Sequence, residues 1–393
     1  METGTSPGGP LRVWALLGPR TGDNNQVLAL AEALGGGVEA IPLRHNPLRL
    51  LPNRFGWSGL ASLDCASRAR LVPPWPDVVI TVGRRGVPAA RWIRARSGGR
   101  TRIVGIGRPR CHPALLDLVV TTPQYGVPPG PEVIEAPVSL SVMGPARLAE
   151  AAGLWRERLR PFPEPRLALL LGGNSPPWRL RPEDAEAACR ALLARAAARG
   201  GSVLAVASRR TPEAVEQRVR AVLAGAEGPA ALLSGAGEGN PYPGLLALSA
   251  EIAVTADSAA MVSEAVATGK PVGLVPVRAG GVGAALLRVM RALRRADAGE
   301  DGASLPARLA GRAWGALVRR GLAGWPRDLW FFWRAIDHHG LAGTVEAPRR
   351  GIPPDIAGEA AARVRRLLAG AAAGSGRGSD PPSPARRGGC AAP

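Results

Sequence analysis

Lysine is almost absent from the sequence. Of 50 basic residues only Lys270 is a lysine, so the formal net charge of +19 rests almost entirely on arginine. So uneven a ratio is typical of a biased base composition in the gene rather than of selection for phosphate contacts. The arginines are also spread along the chain, without blocks of like charge or interleaved aromatic residues. We therefore expect no nucleic-acid partner, whereas attraction to anionic substrates or anionic membrane surfaces stays open.

Cysteine and aromatic residues are scarce as well. Cys65, Cys111, Cys189 and Cys390 are scattered without a Cys-x-x-Cys pair, which argues against a zinc site and against a disulfide framework. We expect neither a metal ion nor a cofactor. With only 10 Trp, 2 Tyr and 4 Phe, the core must be built from Ala, Leu and Val.

Long hydrophobic runs are missing too. No apolar run reaches the ~20 residues that span a bilayer, which argues against an integral membrane protein. Near the N-terminus, the apolar stretch Val13–Leu17 is too short for the core of a signal peptide. These absences predict a cytoplasmic protein.

The length of 393 residues predicts two domains. Predicted strands alternate with helices from Leu11–Leu17 onward, and the alternation restarts at Leu167–Leu171, after the proline-rich stretch Arg160–Pro165. This pattern predicts an α/β fold with parallel sheets. The predicted units are a flexible N-terminus at 1–10, α/β domains at 11–160 and 166–345, a C-terminal helix at 346–369 and a disordered tail at 370–393.

Two loops follow predicted strands, where parallel α/β sheets bind ligands. The first supplies small, acidic and amide residues: Gly22, Asp23, Asn24, Asn25 and Gln26. The second supplies Gly172, Gly173, Asn174 and Ser175. Such residues let a phosphate approach the backbone, although a helix cap and a tight turn are the simpler alternatives. Neither a P-loop nor a complete dinucleotide fingerprint occurs, which argues against a nicotinamide-dependent dehydrogenase.

A third junction is the most informative. A predicted strand ends at Thr255 and a helix begins near Ser258, so small residues there can expose the helix amides to a diphosphate. Glu264 follows about two turns later, where a carboxylate can accept hydrogen bonds from both hydroxyls of a ribose. The alternative for Glu264 is an ordinary surface carboxylate.

This block resembles the signature of the ELM-type mitochondrial-fission family, whose bacterial homologues are often labelled nucleoside-diphosphate-sugar epimerases. The resemblance rests on Asn240–Tyr242, Val254–Ala265 and Thr268–Val272, with support from Gly22–Gln26 and Gly172–Asn174. It implies a GT-B-like fold, in which two Rossmann-like parallel-sheet domains face a cleft. The block is also similar to the nucleotide-sugar site of GT-B glycosyltransferases that build peptidoglycan and lipid A.

The resemblance implies an acceptor side in the N-terminal domain and a nucleotide-sugar side in the C-terminal domain. Ser258, Ala259 and Ala260 would then face the phosphates and Glu264 the ribose. The implied nucleotide-sugar residues are Gly172, Gly173, Asn174, Ser175, Asn240, Tyr242, Thr255, Asp257, Ser258, Ala259, Ala260, Met261, Glu264 and Lys270. The implied acceptor or phosphate residues are Gly22, Asn24, Asn25, Gln26, Gly83 and Arg84. The stretch Arg294–Trp325 has no counterpart in the resemblance, and no residue matches a GT-B catalytic base.

An inverting sugar transfer needs a carboxylate or imidazole beside the acceptor hydroxyl. Asp23, at the carboxyl end of a predicted strand, is the predicted base, with His45 and His112 as alternatives. Four arginines that follow strands could neutralise phosphates, unless they are merely solvated: Arg84, Arg85, Arg108 and Arg110.

Two segments mix apolar and basic residues, Pro47–Leu60 and Leu329–Ile336. Each could touch an anionic inner membrane that carries a lipid-linked acceptor, or could pack on its own sheet. The sequence and the resemblance together predict a nucleotide-sugar-binding, metal-independent glycosyltransferase acting on a cell-envelope acceptor. The alternatives are a non-catalytic adaptor on the same scaffold and a nucleotide-sugar epimerase.

Overall fold

The structure, a computed structural model, describes residues 10–47, 59–233, 239–300, 302 and 304–375. Within these residues the strands form two parallel six-stranded sheets and one short antiparallel pair. The strands are β1 (Arg12–Leu17), β2 (Gly37–Pro42), β3 (Val78–Val82), β4 (Arg102–Ile106), β5 (Leu118–Thr121), β6 (Val133–Glu135), β7 (Arg166–Leu171), β8 (Trp178–Arg179), β9 (Ser202–Ala207), β10 (Ala230–Leu233), β11 (Glu251–Thr255), β12 (Val272–Val275), β13 (Arg278–Ala279) and β14 (Gly343–Thr344). The helices are α1 (Thr21–Leu34), α2 (Cys65–Ala69), α3 (Val87–Arg96), α4 (Pro145–Trp155), α5 (Pro182–Ala197), α6 (Glu213–Ala224), α7 (Tyr242–Leu248), α8 (Ala259–Ala267), α9 (Gly281–Asp297), α10 (Leu305–Arg319), α11 (Leu329–His338) and α12 (Ile356–Ser375).

The first sheet has the strand order β2-β1-β3-β4-β5-β6. Its central strands are continuous apolar runs, such as Val78–Val82, because helices cover both faces of the sheet. The strand order reverses between β1 and β3: β2 lies on one side of β1, and β3 and the later strands lie on the other side. All these strands remain parallel. In doubly wound folds such a point is where ligands bind, outside the carboxyl ends of the strands.

The second sheet has the order β10-β9-β7-β11-β12-β14. Numbered within the sheet this is 3-2-1-4-5-6, the Rossmann order. Its own reversal lies between β7 and β11, and both neighbours of that point are fully buried strands. The prediction of two Rossmann-like parallel-sheet domains in a GT-B-like arrangement is therefore confirmed.

The last helix returns to the first sheet. Ile356, Ala360 and Val364 of α12 are buried in the core that α1 shares with that sheet. Arg365 donates from Nη2 to the carbonyls of Ala33 and Leu34, at the C-terminal end of α1. The helix continues to Ser375, beyond the predicted boundary at residue 369. Small Ala and Gly residues continue the helical pattern there; residues 376–393 lie outside the described part.

The stretch without a counterpart in the family resemblance folds into α9 and α10, followed by α11. Leu329, Phe332 and Ile336 of α11 are fully buried, in agreement with the alternative that Leu329–Ile336 packs on its own sheet. For the other predicted segment, Pro47–Leu60, residues 48–58 lie outside the described part. In the described ranges, no helix is both long enough and apolar enough to cross a bilayer.

Candidate functional site

The carboxyl ends of both sheets face each other at their points of reversal. In the first sheet the chain after β1 leads into α1, and the chain after β3 forms the turn 83–86. In the second sheet the relevant loops follow β7 and β11. Contacts join these two edges, including a hydrogen bond of 3.4 Å from Arg209 Nη2 to Thr21 Oγ1 at the start of α1. The edges at which doubly wound sheets usually bind ligands thus lie together in this chain.

Helix α1 begins at Thr21, so Gly22–Gln26, which the sequence placed in a loop, lie in the first turns of the helix. The early start is stabilised by Asn24, whose Oδ1 accepts from Gly18 N at 2.8 Å and whose Nδ2 donates to Gly18 O at 2.9 Å. Gln26 donates to the Gly22 carbonyl within the first turn. Asn24 and Gln26 therefore hold the turn between β1 and α1 in this conformation rather than offering these groups to a ligand.

The first turn of α1 lies against the first turn of α8. A Cβ at Gly22 would lie 3.3 Å from the Cβ of Ala260, so the two domains approach each other closely at this position. Ala259 is buried, and Ser258 caps the helix by accepting from Met261 N at 3.4 Å. In this conformation Ala260 contacts the opposite domain, whereas the sequence predicted that it faces a phosphate.

Glu264 joins predicted residues that are far apart in the sequence. Its Oε1 accepts from Asn25 Nδ2 at 3.1 Å, across the domain boundary, and its Oε2 accepts from Tyr242 Oη at 2.6 Å. Glu264 is only 6% exposed. Burial raises the pKa of this carboxyl above its ordinary value, although both hydrogen bonds act to lower it. Burial and the adjacent carboxylate also raise the pKa of Tyr242.

Glu264 is therefore neither the surface carboxylate of the alternative reading nor, in this conformation, open to a ribose. A second bond, from Ser139 N to Ser263 Oγ at 2.9 Å, joins the domains beside it. The role predicted for Glu264 requires that the Asn25 side chain move away from Glu264 Oε1. We call the three side chains Asn25, Tyr242 and Glu264 the interdomain latch.

The glycines after β7 pack against the end of β11. Gly172 N donates to Thr255 Oγ1 at 2.7 Å, and Gly173 N donates to Asp257 Oδ2 at 2.8 Å. A Cβ at Gly172 would overlap the Asp257 carboxylate, and one at Gly173 would overlap the carbonyl oxygen of Arg210. The requirement for glycine is thus a close approach within the protein, in agreement with the tight-turn alternative.

Asp257 is almost completely buried, at 1% exposure. Thr255 donates to its Oδ1 at 2.7 Å, and the guanidinium of Arg210 lies 3.9 Å from its Oδ2. Burial raises the pKa of the carboxyl, while Thr255, Gly173 and Arg210 act to lower it. With these bonds Asp257 fixes the two loops of the second sheet and holds Arg210 at the site.

The remaining residues of the second loop shape its path. Asn174 Oδ1 accepts from Leu180 N at 3.1 Å, and Ser175 Oγ accepts from Arg327 Nη1 at 2.8 Å. Arg327 precedes α11, so this bond brings a guanidinium from the helical segment to the site. Sequence reasoning did not single out Arg327, because it stands in no motif and arginine is common throughout the chain.

Arginines of both domains act electrostatically on Asp23. Burial raises the pKa of its carboxyl, and four nearby guanidinium groups act to lower it: Arg20, Arg327, Arg210 and Arg85. Arg20 and Arg85 follow strands of the first sheet, whereas Arg210 follows β9 of the second. The site therefore combines one partly buried carboxylate with a strong positive potential. Arg20 and Arg210, like Arg327, were missed from the sequence.

More arginine lies at the same edge of the first sheet. Burial and the neighbouring Arg110 lower the pKa of Arg84. Burial lowers the pKa of Arg108 to about 10. Arg110 adopts φ of 53°, which is uncommon for a residue with a side chain, and Gly83 adopts φ of 64° in the turn after β3. These groups widen the region of positive potential beyond Asp23.

Two predicted residues lie elsewhere or serve the local backbone. Lys270 precedes β12 and is therefore at the amino end of the second sheet, opposite the site; its Nζ donates to the carbonyls of Leu246 and Ala247 at 2.7 and 2.6 Å. Burial lowers its pKa to about 8. Lys270 thus contacts the backbone of α7 and lies apart from the other predicted nucleotide-sugar residues. Asn240 accepts from Tyr242 N at 3.1 Å and so stabilises the start of α7.

The two histidines offered as alternative bases have structural contacts. His45 forms a backbone bridge with Leu63, and His112 Nδ1 accepts from Ala114 N at 3.2 Å. Neither is among the groups whose charge acts on Asp23. In the described part of the chain, no cluster of three or more His, Cys, Asp or Glu residues could hold a metal ion.

The family described as Mitochondrial fission ELM1 matches residues 21–298, which is more than half of the chain. The matched range includes all three residues of the interdomain latch. The chain belongs to this family. The Mitochondrial fission protein ELM1 of Arabidopsis thaliana is 29% identical over 224 residues, covering 51% of this chain and 51% of the relative. The chain thus spans about half the length of that relative.

Several solved structures are similar across most of the chain. UDP-GlcNAc 2-epimerase from Methanocaldococcus jannaschii has a TM-score of 0.45 at 11% identity and covers 91% of this chain and 99% of its own. AviGT4, a glycosyltransferase involved in avilamycin A biosynthesis, has a TM-score of 0.40 at 18% identity, with coverage of 92% and 99%. The Escherichia coli ADP-heptose lps heptosyltransferase II has a TM-score of 0.40 at 15% identity and covers 67% of this chain and 84% of its own. At such TM-scores these similarities support no inference about function.

Proposed function

We propose that the chain binds a nucleoside-diphosphate sugar between its two domains and transfers the sugar, without a metal ion, to a cell-envelope acceptor in the cytoplasm. One observation carries the proposal. The reversal points of both sheets, each the expected ligand-binding edge, meet around Asp23, where guanidinium groups of both domains converge. A carboxylate among arginines suits a reaction that needs a base and releases an anion.

The arginines would bind the diphosphate and stabilise it as it leaves. Arg210 and Arg327 belong to the second domain, on the proposed donor side, and the N-terminus of α8 adds a positive end of a helix dipole. A nucleoside diphosphate carries its negative charge on phosphoryl oxygens, which guanidinium groups can bind through two parallel hydrogen bonds. This arrangement does the work that a divalent cation would otherwise do.

Asp23 would act as the general base. The acceptor hydroxyl attacks the anomeric carbon while its proton passes to the Asp23 carboxylate, and the bond from that carbon to the diphosphate oxygen breaks. Partial burial raises the pKa of Asp23 and so makes it a better proton acceptor than an exposed aspartate. The leaving nucleoside diphosphate takes the bonding electrons, and the surrounding arginines neutralise the charge.

Donor binding requires that the interdomain latch open. Glu264 has one oxygen on Asn25 and the other on Tyr242, so both ribose hydroxyls can reach the carboxylate only after Asn25 has moved away. Because Asn25 belongs to the first domain and Tyr242 to the second, a small rotation of one domain would break the first bond and keep the second. Tyr242 would then continue to orient Glu264 for the ribose.

The test is a product assay with the full chain, nucleotide sugars and an extract of envelope lipids and glycans. Asp23→Asn keeps the size of the side chain but removes the base, so it should bind donor normally and lose transfer by about 10²–10⁴-fold. Asp184→Asn is a matched control, since Asp184 is an aspartate on α5 paired with Arg278. Unchanged transfer by Asp23→Asn would refute the assigned base.

A non-catalytic adaptor is the second candidate, and two observations favour it. The chain belongs to a family described by mitochondrial fission rather than by a reaction, and the carboxylate expected to bind ribose is already satisfied by protein side chains. An epimerase is a further alternative, and it would convert the donor without any acceptor. Donor conversion in the absence of acceptor would therefore favour epimerisation, and the absence of donor binding would favour the adaptor.

A further inference from the structure

Helices α9 and α10 pack on each other and form one surface, which we call the α9–α10 pair. The contact is close because α10 has glycine where the helices meet: Gly311 lies against Leu293 O and Ala296, and Gly315 lies against Asp297. Arg319 of α10 forms an ion pair of 2.9 Å with Asp297 of α9. The pair is therefore one compact unit whose outer face can be considered as a whole.

The outer face of each helix is apolar. On α9, Val282, Leu286 and Val289 recur at helical spacing and are 88%, 57% and 58% exposed. On α10, Leu305 and Leu309 are 64% and 59% exposed. Where the two helices meet, Ala296 of α9 and Gly311 and Gly315 of α10 are buried, so the apolar side chains above lie outside that contact. Apolar stripes that point outward on two adjacent helices mark an interaction surface rather than scattered surface residues.

The α9–α10 pair is also strongly basic. Residues 281–322 contain eight arginines and three acidic residues. Two of those acids are already paired, Asp297 with Arg319 and Glu300 with Arg295. In contrast, four arginines form no ion pair within the described ranges: Arg288, Arg308, Arg312 and Arg320. Apolar stripes flanked by unpaired arginines fit a lipid surface with negative headgroups.

We infer that the α9–α10 pair docks the protein on membranes containing anionic phospholipid. The apolar stripes enter the boundary between headgroups and acyl chains, and the arginines bind lipid phosphates. A second copy of the chain is the less suitable occupant, because pairing two such surfaces would bring two sets of arginines without ion pairs in the described ranges together, Arg288, Arg308, Arg312 and Arg320 of each copy. The inference concerns a surface contact, and it stands whether or not the proposed function is correct.

The position of the pair relates docking to the site. Arg294 of α9 donates from Nη1 to Pro123 O at 2.8 Å, and Gly321, just after α10, lies against the backbone of His112. Both partners belong to loops at the carboxyl edge of the first sheet, the edge that also carries Asp23. A membrane bound by the α9–α10 pair would thus lie beside the proposed acceptor side.

The test is co-sedimentation of the full chain with phosphatidylcholine vesicles, with and without phosphatidylglycerol. Wild type should bind the anionic vesicles much more tightly than the neutral ones. Leu286→Glu combined with Val289→Glu should weaken that binding by about tenfold or more, since each removes an inserted apolar side chain. Leu154→Glu is the matched control, because Leu154 is a 66% exposed leucine on α4, and it should bind as wild type does.

A second variant makes the test independent of the apolar stripe. Arg288→Gln combined with Arg312→Gln should weaken binding to anionic vesicles and reduce its dependence on salt. All variants alter exposed positions and should keep the melting temperature of wild type. Equal binding by wild type and the Leu286/Val289 variant would overturn the inference. So would concentration-dependent dimers that disappear in that variant, because they would assign the surface to a second copy.

Discussion

Replacing Tyr242 by Phe tests the interdomain latch most sharply. The change removes one hydroxyl and keeps the ring, so the lost interaction is the 2.6 Å hydrogen bond to Glu264 Oε2. A hydrogen bond to a charged group contributes about 1.5–3 kcal/mol, against about 0.5–1.5 kcal/mol for a neutral pair. For a unit of the size of one domain, a loss of about 1.5–3 kcal/mol lowers the melting temperature by about 3–12 °C.

The pH dependence distinguishes this mechanism from a packing defect. The Tyr242 hydroxyl stabilises the ionised form of Glu264 and so lowers a pKa that burial raises. Its contribution is fully present above the pKa of Glu264 and falls as the pH drops through that value. Tyr242→Phe should therefore destabilise the protein more at neutral pH than in mild acid, where the carboxyl is protonated.

The assay is urea unfolding followed by tryptophan fluorescence at several pH values. Tyr125→Phe is the matched control, since Tyr125 is the other tyrosine of the chain and, in the described ranges, forms no bond with a carboxylate. It should change stability little and equally at each pH. A Tyr242→Phe penalty that did not vary with pH would refute the assignment of an ionised Glu264 at the latch.

Three further changes have directions set by the structure. Asp23→Asn should stabilise the protein at neutral pH. The pKa of Asp23 is raised in the folded state, so ionisation of this carboxyl lowers the free energy of unfolding as the pH rises from the ordinary pKa through the folded-state pKa. Urea unfolding at several pH values would measure this gain in stability. Gly173→Ala forces a Cβ into the Arg210 carbonyl and should cost about 1–3 kcal/mol in the same assay. Asn24→Ala removes both bonds to Gly18 and should cost about 1–3 kcal/mol; an unchanged midpoint in either variant would contradict the geometry.

Local patterns predicted the elements well. Apolar runs such as Leu11–Leu17 and Leu167–Leu171 identified buried parallel strands, and small residues after Thr255 identified a helix start. The start of α1 was harder, because Gly22 in a first turn argues against helix. Its packing on Ala260 of the other domain, which no local pattern encodes, overrides that preference.

Contacts between the domains could not be predicted in the same way. Asn25 and Glu264 are 239 residues apart in the chain, and their meeting depends on strand order and domain orientation rather than on spacing. Lys270 was predicted from the family signature, which runs on past α8 to the start of β12. Lys270 therefore lies at the amino end of the second sheet, opposite the candidate site. Arg210 gave no signal among so many arginines. Long-range geometry, not residue type, distinguishes the site from its surroundings.

The central claim, binding of a nucleoside-diphosphate sugar between the domains, is tested most directly by thermal stabilisation across a panel of nucleotides and nucleotide sugars. A ligand at a hundredfold excess over its Kd adds about 2.7 kcal/mol, which raises the melting temperature by about 5–10 °C for a unit of domain size. We expect a selective rise that Arg210→Ala and Glu264→Ala abolish. Arg220→Ala, which alters an exposed arginine paired with Glu216 on α6, should retain it. A panel without any rise, or a rise that persists in Arg210→Ala and Glu264→Ala, would contradict the claim.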